Sequence, residues 1–200
     1  MSRYRTRSWR AFDPNAAVVH PAAVTVAATN VRVLGLDPGS RRTGFGVIEC
    51  RGAECVHVAH GCIAVDGKAI ATRLREIFEG LQTLIEEHSP GEIAVERVFV
   101  NRNVDSALKL GQARGAALCA VPRGLPVFEY APRAIKLALV GSGAAEKGQV
   151  AHMIKMLLRI DGRITADASD ALAVAMCHAH SRRMLQIVQL AGAAARPVAT

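Results

Sequence analysis

The chain has 200 residues, enough for one ordinary domain with tails but not for two full ones. Half of it is hydrophobic and 21% is charged. This supports a buried core and excludes a mainly disordered or collagen-like polymer, and no stretch reaches the ~18 apolar residues that a membrane-spanning helix needs.

The formal charge of +8 favours a polyanionic partner, nucleic acid being the commonest. Residues 1–30 carry +3 of it (Arg3, Arg5, Arg7 and Arg10 against Asp13), so an excess of +5 belongs to the remainder. That first segment is Arg-rich, then rich in Ala, Val, Thr and Pro, with no amphipathic period. It reads as a disordered basic tail, without the longer apolar centre of a secretory signal. A start assigned upstream of the true one, with initiation at Val24, Val26 or Val31, would account for it.

Val31–Asp37 is a short apolar strand stopped by Pro38-Gly39-Ser40. Thr43–Cys50 and Glu54–Val65 follow as strands, with Arg51-Gly52 between them. Ile70, Leu74, Ile77, Phe78, Leu81, Leu84 and Ile85 recur at helical spacing, which predicts an amphipathic helix ending before Ser89-Pro90-Gly91. Glu92–Glu96 has the apolar interior of a central parallel strand. A second helix is expected from near Asn103 or Asp105 to Val121, and a fifth strand over Pro126–Glu129. Short helices are expected around 132–140 and 147–159, and a last helix from near Asp167. The domain is set at 31–188, with 189–200 as a C-terminal tail.

Five cysteines (50, 55, 62, 119 and 177) without a CxxC pair fit a reducing cytoplasm better than a disulfide scaffold. Cys55, His57, His60 and Cys62 are the ligand types of a zinc site. Strand alternation, however, places 55 and 57 on one face and 60 and 62 on the other unless a bulge at Gly61 intervenes. A half-buried strand is the favoured reading.

Three antiparallel strands followed by crossover helices predict an α/β fold: a mixed five-stranded sheet flanked by helices, in the order of the ribonuclease H-like fold. Strands one and four are then parallel neighbours. Asp37 and Glu96, which end them, share the carboxyl edge where open α/β sheets place their sites. Asp167 and Asp170 open the last helix at i and i+3, on one face. Singly, each acid has a plain explanation as a turn, a strand end or a complement to the helix dipole. Four together repel and raise one another's pKa. Mg²⁺ would resolve that conflict, because it takes hard oxygen ligands and bridges to phosphate. Two such ions can activate water and stabilise the leaving oxygen of a phosphodiester. Acidic site and basic surface together indicate a metal-dependent nuclease.

Six segments carry a specific resemblance. They are Leu34-Gly-Leu-Asp-Pro-Gly-Ser-Arg-Arg-Thr-Gly-Phe-Gly-Val, Val95-Glu-Arg-Val-Phe, Asn103-Val-Asp-Ser-Ala-Leu-Lys-Leu-Gly-Gln-Ala-Arg-Gly, Phe128-Glu-Tyr-Ala-Pro, Gly141-Ser-Gly-Ala-Ala-Glu-Lys-Gly-Gln-Val and Asp167-Ala-Ser-Asp-Ala-Leu-Ala. In order and spacing, over about residues 31–180, the chain resembles the RuvC family of bacterial Holliday-junction resolvases. The resemblance implies Asp37, Glu96, Asp167 and Asp170 as the catalytic, metal-binding acids, with Mg²⁺ as cofactor, two ions per site, Mn²⁺ able to substitute. It implies Lys147 and Lys136 near the scissile phosphate, where a basic group stabilises developing charge. Phe99 would stack on an unpaired base at the branch point. Arg97, Arg102, Lys109 and Arg114 are candidate phosphate contacts. The family further implies four-way junction DNA as substrate and nicks leaving 5′-phosphate and 3′-hydroxyl ends. It also implies a homodimer through the second helix near Gly111 and Gly115, cooperation with RuvA and RuvB, a cytoplasmic setting and no membrane. Two rival readings are an actin/sugar-kinase-type nucleotide-binding domain and a junction-binding paralogue without catalysis.

Overall fold

The computed structural model describes residues 30–97 and 104–194, with the side chains of the last helix to Met184. The basic tail before Asn30, Phe99, Arg102 and the last six residues lie outside the described residues. Five strands form one sheet: β1 (Asn30–Asp37), β2 (Arg42–Arg51), β3 (Glu54–Ala64), β4 (Glu92–Glu96) and β5 (Val127–Tyr130). Their order is β3-β2-β1-β4-β5. The first three strands pair antiparallel, and β1, β4 and β5 run parallel. The helices are α1 (Ile70–His88), α2 (Val104–Cys119), α3 (Pro132–Val140), α4 (Lys147–Leu158) and α5 (Ala166–Ala194). The expected order of elements is therefore present, but α5 continues into the stretch read from sequence as a tail.

Alternation along the strands divides the core in two. Leu34, Leu36, Val47, Ile93 and Val95 face α1 and α2, where Ile77, Leu81, Ala113 and Ala117 are buried against them. Val31, Val33, Ile48, Cys50 and Ala94 face α3, α4 and α5. On that second face α5 lies unusually close to the sheet. A Cβ added at Gly35 would come 2.1 Å from the backbone oxygen of Ala171, one at Gly44 2.1 Å from that of Asp167, and one at Gly46 2.6 Å from the Leu172 side chain. Three glycines on one face of β1 and β2 thus form a seat for the helix, the close approach that glycine in a strand interior permits.

The β2–β3 pairing corrects one expectation. Val47 pairs with Ala59 and Ile48 with His57, so the bulge falls at Val58 rather than Gly61. An extra residue reverses the facing of everything beyond it. Cys55, His57, His60 and Cys62 consequently share the α5 side of the sheet, with His57 Nε2 2.8 Å from His60 Nδ1. Spread along an eight-residue stretch of strand, the four do not gather into one metal-holding group; only the two histidines touch.

Candidate active site

The site begins with register. Leu36 pairs with Val95 in the parallel β1–β4 ladder, so the next residues, Asp37 and Glu96, end adjacent strands side by side. Both fall on the α5 side, in phase with Gly35 and Ala94. α5 crosses above them and brings Asp170 to the same point. Asp37 hydrogen-bonds to Glu96 and feels the charges of both Glu96 and Asp170. Burial first, then these two carboxylates, push Asp37 up to about 7, with Lys147 partly offsetting them. Glu96 is also raised, by burial and then by Asp170, while Lys147 and Lys136 act in the opposite sense.

Two lysines complete this cluster. The Lys147 ammonium, at the start of α4, donates to Asp170 Oδ2 at 2.9 Å, and its pKa is raised by that bond. Lys136 of α3 lines the same cleft as Glu96, Lys147 and Asp170, a cavity of about 180 Å³ floored by Pro132, Ile135, Val150 and Ala173. Two carboxylates and two ammonium groups therefore line one space the size of a few water molecules.

Asp167 stands beside Cys62 on the same edge. Its Oδ2 lies 4.0 Å from the Cys62 sulfur of β3. The cause is helical geometry: positions i and i+3 differ by about 60° around the axis, and the Gly44 contact seats the Asp167 backbone over β2. Burial, then Asp167, raises the Cys62 thiol, and Asp37 acts on it too. Asp167 thus belongs to the same carboxyl edge, on the β3 side of Asp37, while Glu96 and Asp170 stand on the other.

The basic candidates separate. Arg114 is largely enclosed and engaged within the fold, donating to the Glu96 carbonyl at 2.7 Å and to Glu129 Oε1 at 2.6 Å, so it buttresses the ends of β4 and β5. Arg97 remains exposed beside the site, its Nε 3.7 Å from Glu129 Oε2. Lys109 pairs with Asp105 on the outer face of α2 at 2.5 Å.

Sequence reasoning missed a second polar cluster on the same helix. At the opposite end of β4, the His178 Nε2–H donates to Glu92 Oε2 at 2.6 Å, and Arg182 Nε lies within 3.1 Å of both Glu92 oxygens. The Tyr130 hydroxyl donates to His178 Nδ1 at 2.6 Å. Burial opposes ionisation of Glu92, yet His178 and Arg182 outweigh it and hold the carboxyl below its usual value. β4 therefore offers α5 an acid at each end, one bound to His178 and Arg182 in the core and one open at the cleft. The charged residue Glu92 opening an apolar strand was the available signal; its partners lie 86 and 90 residues away in sequence.

These residues fit a hard divalent cation in donor chemistry and in charge. Oxygen-only carboxylates are held partly out of water with more negative charge than Lys147 offsets, which is the arrangement Mg²⁺ relieves. Asp37, Glu96 and Asp170 would hold it, with Asp167 adjoining.

A family model described as crossover junction endodeoxyribonuclease RuvC matches residues 33–178. The crossover junction endodeoxyribonuclease RuvC of Methylococcus capsulatus is 57% identical over 155 residues, covering 77% of this chain and 93% of the relative. That of Alkalilimnicola ehrlichii is 53% identical over 163 residues, covering 81% and 99%. Among solved structures, T. thermophilus RuvC in complex with a Holliday junction substrate superposes with a TM-score of 0.73 at 32% identity, covering 77% of this chain and 96% of that one.

Proposed function

Because the chain belongs to the RuvC family of crossover junction endodeoxyribonucleases, we propose that it resolves Holliday junctions by Mg²⁺-dependent nicks in two opposing strands. The observation that carries this reading is the cleft where Glu96 and Asp170 meet Lys136 and Lys147, with Asp37 bonded to Glu96 beside it at the joined ends of β1 and β4.

A bound divalent cation, one or two per site, would supply the positive charge that activates a water and stabilises the leaving oxygen in an in-line displacement. The protein's own share is positioning and charge. β1, β4 and the glycine seat under α5 fix the carboxylates before substrate arrives, so no reorganisation is needed in the transition state. Lys147 and Lys136 line the cleft and would meet a phosphodiester entering it, and Lys147 holds its ammonium against an Asp170 oxygen. Burial and the neighbouring carboxylates hold Asp37 up at about 7, and a bound cation would favour its ionised form.

A four-way junction has near two-fold symmetry, so paired nicks ask for two sites related by the same axis. On α2, Val104 and Leu108 are 79% and 60% exposed, and Gly111 and Gly115 have open space at their Cβ positions. Spaced i, i+4, i+7 and i+11, they form one apolar, small-residue stripe suited to pairing with a second copy. Work alongside RuvA and RuvB in the cytoplasm is part of the same reading; among the described residues no helix is long and apolar enough to cross a membrane.

The test is a gel assay with a synthetic immobile four-way junction beside a linear duplex of the same sequence, with and without Mg²⁺. Junction-selective cleavage that requires the metal is expected. Asp170→Asn should keep junction binding and lose cleavage at least ~1,000-fold, the scale of removing a metal-holding or transition-state group. Equal cutting of the duplex, or metal-independent cleavage, would overturn the reading.

A further inference from the structure

We propose that Cys50 and Cys55 are a modification site, a cross-strand dithiol that a peroxide converts to a disulfide. The two residues sit directly opposite each other in the β2–β3 ladder, and their sulfurs are 2.8 Å apart. The hairpin explains the meeting. Gly52, at φ +61°, and Ala53 form the two-residue turn between the paired residues Arg51 and Glu54. Glycine at the first turn position is what a type II′ hairpin requires. In such a hairpin the residues flanking the turn exchange hydrogen bonds, and the next pair outward is the non-hydrogen-bonded kind, whose side chains approach most closely. Sulfurs at that pair are within reach of a bond without backbone rearrangement.

The surroundings give the two thiols different roles. Cys50 is buried, 4% exposed, against the α5 core. Cys55 is half-buried and borders a cleft of about 490 Å³ shared with His57, Leu157, Met176 and His180, which gives a small oxidant access. Either sulfur can donate in the contact between them, and Cys55 is the one that a small oxidant reaches from the cleft while Cys50 stays enclosed. Cys55 is therefore the thiolate that attacks.

The chemistry balances with hydrogen peroxide or an organic hydroperoxide as the two-electron oxidant. The Cys55 thiolate attacks the peroxide oxygen, the O–O bond breaks, and a sulfenic acid forms with release of water or alcohol. Cys50 sulfur then attacks the sulfenic sulfur; its proton leaves with the hydroxyl as water, and the S–S bond forms. Two thiols lose one electron each, and a dithiol reductant reverses the change. The site lies at the hairpin end of β2, away from the Asp37 edge, so the modification secures the outer hairpin without entering the catalytic cleft.

Tryptic mapping tests this on the intact wild-type chain. Cleavage after Arg42, Arg51 and Lys68 places Cys50 and Cys55 in separate peptides, 43–51 and 52–68. After treatment with stoichiometric peroxide and alkylation of remaining thiols, the two peptides should appear linked, two hydrogens lighter than their sum, and separate on reduction. Cys62 shares the second peptide, so Cys62→Ala should keep the link and Cys55→Ala should abolish it. Oxidised protein should also melt roughly 5 °C higher than reduced protein, as a short cross-linked loop predicts. Alkylated, unlinked peptides after peroxide, a link that survives in Cys55→Ala, or sulfinic acid at Cys55 in place of the link would each overturn the proposal.

Discussion

Asp37 concentrates the energetics of the site. Its folded pKa of about 7 stands above the ordinary 3.8, through burial first and its acidic neighbours second. Below about pH 4 the group is protonated in both folded and unfolded chains and adds no penalty. Between about 4 and 7 the unfolded chain gives up a proton that the folded chain keeps, so stability falls as pH rises. We expect the metal-free protein to lose on the order of a few kcal/mol over that window from this group. In Asp37→Asn that part of the slope should vanish. Melting curves from pH 4 to 8 in EDTA check it, and an unchanged slope in the variant would refute the assignment. Added Mg²⁺ at pH 7.5 should raise Tm in the wild type and far less in the variant. Lys147 acts in the opposite sense, since it offsets the same negative charge. Lys147→Ala should therefore lower junction cleavage ~10²-fold in single-turnover assays while leaving junction binding near wild type, the scale of one transition-state donor.

The element that organises the site is α5. It rests on Gly35, Gly44 and Gly46, carries Asp167 and Asp170 at its start, and is tied to β4 two to three turns later through His178 and Arg182. Gly35→Val would put a branched side chain where even a Cβ meets the Ala171 oxygen at 2.1 Å. The helix must lift, and we expect a loss of about 3 kcal/mol or more, read by urea unfolding, with junction cleavage falling further than stability alone explains. Much of this was legible in the sequence and some was not. Strand ends could be read because Leu34-Gly-Leu and Ile93-Ala-Val stop abruptly at an acid, and Asp167-Ala-Ser-Asp170 marks a helix start. The place of Asp167 beside Cys62 could not, because it depends on how closely the helix approaches β2. The bulge at Val58 was equally hidden: a valine there satisfies a strand pattern whichever face it takes. Glu92 gave no sign of its partners, since no local pattern connects residues so far apart in the chain. Arg114 looked like any basic surface residue until β4 and β5 were placed beside it.

For the whole molecule, the exposed stripe of Val104, Leu108, Gly111 and Gly115 and the two-fold logic of the substrate belong together. If the proposed dimer forms through this stripe, Leu108→Glu should convert it to monomer by sedimentation velocity at micromolar concentration. Far-UV circular dichroism should not change, because the side chain is 60% exposed in the single chain. Paired nicking should drop more than single nicking, as one site then works without its twin. A variant that remains dimeric would place the interface elsewhere.

The position of α5 also sets a sequence of events during synthesis. β1 and β2, near the front of the domain, wait for a helix near its back to cover Val33, Ile48 and the glycine row. Contacts between such distant segments form late, because loop closure must precede them. On the ribosome, a nascent chain that has yet to release residue 170 has neither a finished core on that side nor a complete set of carboxylates. If the proposed carboxylates carry the chemistry, a half-made polypeptide cannot yet cut DNA.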